Sequence, residues 1–204
     1  MRHLFLVTFL VLNFIIQTQA QTVEIGSYAS PYDNEVYPIK IEKTKVSNRN
    51  IDGYNVIIHT PLLDNGDGYI SLTSNEHKKL IINLHYIKEK FTEWRNIAIK
   101  NNVKEISKNF EKSINIEPFF RLNGKLYQAK STYIDFYFGN IDTDFTVLGF
   151  SPELKSYHNE YITYNPIVVI FTNVNDIDNL LNEITIDKVK KGLNAPDVNE
   201  LFKN

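Results

Sequence analysis

Apolar residues recur along this chain in two rhythms, and the rhythm changes at Thr73. Before it, "YPIKIEKTKV" alternates Ile39 and Ile41 with Lys40 and Glu42, the period-two pattern of a half-buried strand. "YNVIIHT" is rich in β-branched residues and predicts a second strand that ends at Pro61. After Thr73 the period lengthens. Leu80, Leu84, Ile87, Phe91, Trp94 and Ala98 follow at spacings of four and three, which places them on one stripe of an α-helix. Thr73 with Glu76 has the spacing of a capping box, so the helix is expected from about Ser74 to Asn101. Lys79, Glu89, Lys90, Glu93 and Lys100 fall on its opposite face and are expected to meet water.

Strand patterns return beyond the helix. "INIEPFFRLNGKLYQAKS" places Asn123-Gly124 between two apolar runs, the dipeptide whose tolerance of positive φ suits a type I′ hairpin. Ile134, Phe136 and Phe138 alternate on one face of the next strand. A polar turn at Gly139 to Asp144 then leads to a return strand through Phe145 and Val147. In "SPELKSYH", Ser151 reads as an N-cap with Pro152 at the first helical position, predicting a short helix. "YNPIVVIFT" reads as a buried strand, followed by one or two short helices ending at Gly192 as a C-terminal stop. These elements make an α+β fold: a mostly antiparallel sheet, a meander of hairpins, packed against one long amphipathic helix, with short C-terminal helices.

The ends of the chain divide differently. Arg2 and His3 precede an apolar run that reaches about Ile16, and "QTQA" places small residues around a cut after Ala20, the layout of an export signal. The run is shorter than the roughly 18 residues of a spanning helix. The expected organisation is a signal peptide over 1–20, an extended lead-in over 21–37 with an edge strand near Val23 to Ile25, one domain over 38–192 and a tail over 193–204. Cutting after Ala20 leaves 184 of the 204 residues and, with Arg2 removed, moves the formal net charge from −2 to −3. Such a chain is long enough to bury a core unaided.

Composition then narrows the chemistry. There is no cysteine, which removes disulfides, thiol nucleophiles, thiolate metal sites and lipid attachment at a cysteine. The mild acidity and scattered lysines argue against nucleic acid as a partner. Abundant Asn, Ile, Lys and Tyr suit an AT-rich bacterial genome; together with the export signal, the expected setting is periplasmic or secreted.

"PLLDNGDGYISL", from Pro61 to Leu72, offers the nearest approach to a ligand motif. Aligning Asp67-Gly68 with the fifth and sixth positions of an EF-hand loop puts Asn65 at the third. The first position is then Leu63 and the twelfth Ser74, neither able to supply the required oxygens. A simple turn through Asn65-Gly66 or Asp67-Gly68 accounts for the same residues. No cofactor is expected; calcium held by Asp64, Asn65 and Asp67 is the alternative. His77 and His85 stand eight residues apart, about 80° around a helix, unlike the four-residue spacing that clasps zinc. His59 is expected as a half-buried strand residue.

His158 with Glu160 is the one histidine and carboxylate pair in a loop-like segment, where functional residues concentrate. No serine sits in a nucleophile elbow and no phosphate loop is present. Asp142 and Asp144 read as turn residues. Tyr127, Tyr133 and Tyr137 fall on strands as a candidate binding surface, because tyrosine is rigid and amphipathic. The functional expectation is an exported, non-enzymatic binding domain for a protein or envelope component. The alternatives are a small hydrolase using His158 and Glu160, or a carrier with a cavity between helix and sheet.

Overall fold

The computed structural model describes residues 22–45, 52–64, 66–141 and 144–195. The expected signal segment lies outside them, as do Asn65, Asp142 and most of the C-terminal tail. The architecture is the expected α+β arrangement. Eleven strands and three helices follow in the order β1 (Thr22–Ala29), β2 (Val36–Lys45), β3 (Asp52–Pro61), β4 (Asp67–Thr73), α1 (Ser74–Lys100), β5 (Ser107–Leu122), β6 (Lys125–Gln128), β7 (Thr132–Ile141), β8 (Asp144–Phe150), β9 (Leu154–Lys155), β10 (Thr163–Tyr164), β11 (Val168–Phe171), α2 (Val174–Glu183) and α3 (Ile186–Leu193) among the described residues.

The main sheet runs β1-β2-β3-β4-β5-β7-β8-β11, all neighbours antiparallel, with β6 attached to β5. β5 is the spine. Its residues 107–116 pair with β7, while 117–120 pair with β4 and 119–122 with β6. The sheet curls until β11 returns to β3. Leu62 bridges Ile167, Leu63 N–H donates to Pro166 O at 3.0 Å, and Thr60 Oγ1 donates to Val168 O at 3.3 Å.

α1 lies against β3, β4, β5 and β8. Leu80, Leu84, Ile87, Phe91 and Ala98 are buried as the spacing predicts, against Ile114, Ile116, Ile134, Phe136 and Phe138. Fully burying each of the larger side chains contributes about 1.5–3 kcal/mol. Trp94 stays half-buried, stacked on Phe110 at 4.8 Å with Lys108 Nζ 3.9 Å above its ring. The Thr73 hydroxyl accepts from Glu76 N–H at 3.3 Å, but the Glu76 carboxylate turns to Lys79 at 2.8 Å. Only half of the capping box therefore forms. A salt bridge of 2.6 Å from Lys88 to Asp178 links α1 to α2. Among the described residues no helix is long and apolar enough to cross a membrane.

Several local expectations change. The edge strand expected near Val23 to Ile25 is longer, since β1 pairs with β2 from Thr22 to Ala29 around an irregularity at Glu24/Gly26. The expected helix at Ser151 is absent: Ser151 Oγ accepts from Ile167 N–H at 2.9 Å, and the buried Leu154 pairs with Tyr164 in the small β9–β10 sheet. The candidate cap is thus spent holding the start of β11. Gly192 does not stop α3, whose cap is Asn194.

The two Asn-Gly dipeptides also part company. Asn123 and Gly124 have φ of 51° and 78°, the positive values of a type I′ turn. Gly66 does not adopt positive φ, and Asp67 and Gly68 already belong to β4. The loop is closed instead by Leu62 N–H donating to Gly66 O at 3.0 Å. Gly66 is there for space, because a Cβ would sit 2.8 Å from Tyr164 Oη.

Candidate functional site

The site arises where an antiparallel ladder stops. β8 runs along β7 in the register that pairs Asp135 with Phe150. The same register continues six residues further as the Ala129–Ser156 bridge. Lys130 N–H donates to Lys155 O and Tyr157 N–H to Gln128 O, each at 2.8 Å. Beyond Tyr157 the two arms separate. Asn159 folds the outer arm back, its side chain accepting from Tyr161 N–H at 3.1 Å and its carbonyl from Ile162 N–H at 3.0 Å, a turn that asparagine supplies readily. β6 meanwhile continues to the tight turn at Asn123-Gly124.

The fork between these arms is a groove of about 440 Å³. Phe119, Tyr127 and Ile162 give it apolar surface, while Gln128, His158 and Asn159 add polar groups. Tyr127 is fixed by stacking on Phe120 at 5.5 Å, and Tyr164 stacks on the same ring at 5.5 Å. Tyr157 and Tyr161 beside the groove are 62% and 91% exposed. Rigid aromatic surface next to amides is the mixture that recognises a ligand by contact and by hydrogen bonds.

Charge is uneven here. The arms 119–130 and 154–164 carry Arg121, Lys125, Lys130 and Lys155 against Glu160 alone, in a chain whose formal net charge is −2. Glu160 lies 3.4 Å from Lys130, and both are well exposed, so the pair is weak. Lys125 Nζ sits 5.2 Å over the Tyr127 ring.

The predicted residues distribute unequally over this geometry. Tyr127 and His158 line the groove. Glu160 faces Lys130, and the nearest ring to His158 is Tyr157 at 5.2 Å, edge to face. The histidine and carboxylate are not brought together as a catalytic pair. Tyr133 is 44% exposed and Tyr137 half-buried on the outward face of β7, whereas Tyr127 packs toward the buried Phe120. The three tyrosines therefore do not form one surface.

The calcium alternative meets diverging carboxylates. Asp64 hydrogen-bonds Tyr164, whose hydroxyl is pushed up in pKa first by desolvation and then by Asp64. Asp67 turns instead to His59 at 3.4 Å and Arg121 at 3.7 Å. Among the described residues no three His, Asp or Glu side chains gather as a metal cluster. The space behind α1 is an apolar void of about 20 Å³ near Tyr28, Leu84 and Phe136, room for about one water.

Two histidine environments exceed what spacing suggested. His59 is stacked on Tyr69 at 4.5 Å with Tyr37 edge-on at 4.7 Å. Desolvation lowers its pKa against the opposing pull of Asp67. His77 is fully buried. Its Nε2 lies 2.6 Å from Ile184 O and its Nδ1 3.1 Å from Tyr54 Oη. A carbonyl can only accept, so Nε2 carries the proton and Nδ1 accepts from the tyrosine. The available signal was its position three residues before Leu80, on the same stripe.

Comparison with protein-family models, with curated proteins and with solved structures finds no match for this chain.

Proposed function

We propose that this protein is an exported, non-enzymatic binding domain, acting in a bacterial envelope or secreted setting, that takes an anionic ligand into the groove at the fork. The observation that carries the reading is that aromatic surface from Phe119 and Tyr127, the amides of Gln128 and Asn159, and Lys125 line one open groove, on arms whose cations outnumber their carboxylates. Binding is favoured over hydrolysis because His158 meets no orienting carboxylate among the described residues: Glu160 is engaged with Lys130 and open to water. Tyr127 is the predicted binding residue that this reading retains. The apolar run before Ala20 supports export.

Nuclear magnetic resonance titration tests the site directly. Acidic peptides and anionic oligosaccharides added to the protein should shift amide signals within 119–130 and 156–162, and Lys125→Glu should abolish those shifts. Signals in the groove that stay fixed with every anionic probe would sink the proposal.

A further inference from the structure

The strongest clue to what occupies the groove is the backbone of β6. In a hairpin joined by a two-residue type I′ turn, the flanking residues form a hydrogen-bonded pair, and the pairs then alternate. Leu122–Lys125 is that flanking pair, followed by Arg121–Leu126 and Phe120–Tyr127. Arg121–Leu126 is consequently a non-bonded pair, and the N–H and C=O of Leu126 point away from β5. Two neighbours confirm the phase. Gln128 O, two residues along, accepts from Tyr157 on that outer side, while Ala129 N–H points inward to Pro118 O at 2.8 Å.

Extended past the bridge, the register of the outer arm would place His158 opposite Tyr127 and Asn159 opposite Leu126. The outer arm turns away before it gets there, because Asn159 commits its carbonyl to Ile162. Among the described residues the outer edge of β6 at Leu126 pairs with no backbone. An unpaired edge of this kind is a template for another strand.

We propose that the groove accepts an extended acidic peptide, which adds to the outer edge of β6 as a further strand and so restores the ladder that stops at Tyr157. This rests on the reading of the groove as the binding site. Side chains of an extended peptide alternate in direction, so one set shares the face of Lys125 and Tyr127 while the other shares the face of Leu126, Gln128 and Lys130. Arg121 is engaged with Asp67 and Lys130 with Glu160, so Lys125 and Lys155 supply the positive charge that favours acidic residues in the peptide. Electrostatic complementarity of this kind acts chiefly on specificity and on the rate of encounter.

The test uses three probes with the folded protein: an acetylated peptide alternating Val and Glu, the same peptide with Lys for Glu, and oligogalacturonate as an anionic glycan. The Val-Glu peptide should bind, slow hydrogen exchange at the Leu126 amide and outcompete the Lys peptide. Leu126→Pro should weaken that binding by about tenfold or more, since one backbone donor is lost, while Leu126→Ala keeps it. Proline is tolerated where an edge N–H faces outward. N-methylating alternate nitrogens of the peptide gives an arm that leaves the protein unchanged: one methylated set should abolish binding and the other preserve it. Peptide binding with unchanged Leu126 exchange and equal tolerance of both methylated sets would overturn strand addition. Groove shifts with oligogalacturonate alone would overturn the peptide and leave the groove reading standing. Silence from all three probes would remove both.

Discussion

The packed space under α1 and the fork beyond Tyr157 belong to one antiparallel system, yet they end in opposite conditions. Under α1 the strands pair on both sides, the apolar stripe meets phenylalanine and isoleucine, and the apolar void near Leu84 and Phe136 measures about 20 Å³. At the fork, the outer edge of β6 at Leu126 pairs with no backbone among the described residues, and the arms enclose about 440 Å³ of open groove. The same sheet chemistry thus yields a packed core where both edges are paired and an open groove where one is released.

The largest effect that would sharpen this contrast is a core truncation. Phe91→Ala should cost about 3–5 kcal/mol, because Phe91 is buried edge-on to Phe138 at 5.9 Å. Tyr161→Ala in the fork should stay within about 0.5 kcal/mol, in keeping with its 91% exposure. Urea unfolding of both variants measures the difference, and equal losses would erase the distinction.

The two Asn-Gly sites give the next test. Gly66→Ala forces Tyr164 off its place on Phe120 and should cost about 1–3 kcal/mol, with a visible change in the groove signals. Gly124→Ala meets no atom within 4 Å but keeps φ of 78°, and should cost about 1 kcal/mol through backbone strain alone. If Gly66→Ala left the Tyr164 and Tyr127 resonances unmoved, the groove would not depend on that contact.

The gentlest effect is the pH dependence of the core side. Desolvation lowers the pKa of His77 below its ordinary value, opposed by the bond to Ile184 O and assisted by Lys78. The unfolded chain then binds the extra proton first. His77 thus contributes stability in full above the unfolded value near 6.5, and loses it as pH falls through the depressed folded value. Urea unfolding midpoints that stay level below pH 6.5, with an imidazole signal titrating as in a free peptide, would contradict this.

Periodicity made the helix, its buried stripe and most strands legible, because each burial pattern repeats within a few residues. The Asn123-Gly124 turn was legible for the same local reason. What stayed hidden depends on distant partners. Ser151 has every local mark of an N-cap, but Ile167 claims its hydroxyl. Gly66 looks like a turn glycine and is needed because Tyr164 lies over it. The groove was half legible: His158 and Tyr127 both stand out in the sequence, but only the shared register of Asp135–Phe150 and Ala129–Ser156 shows that they flank one fork. Glu160 is the reverse case, near His158 in sequence and directed elsewhere by Lys130.

The return of β11 to β3 also carries a kinetic consequence. Thr60 and Val168 meet across 108 residues of chain, a separation whose loop entropy must be overcome before the contact can stabilise anything. Folds dominated by such distant pairings fold slowly. A chain emerging from its N-terminus can form the β1–β4 meander and α1 early, but it cannot close the sheet until Val168 has appeared. The closed shape of the sheet is therefore fixed only near the end of the chain's emergence.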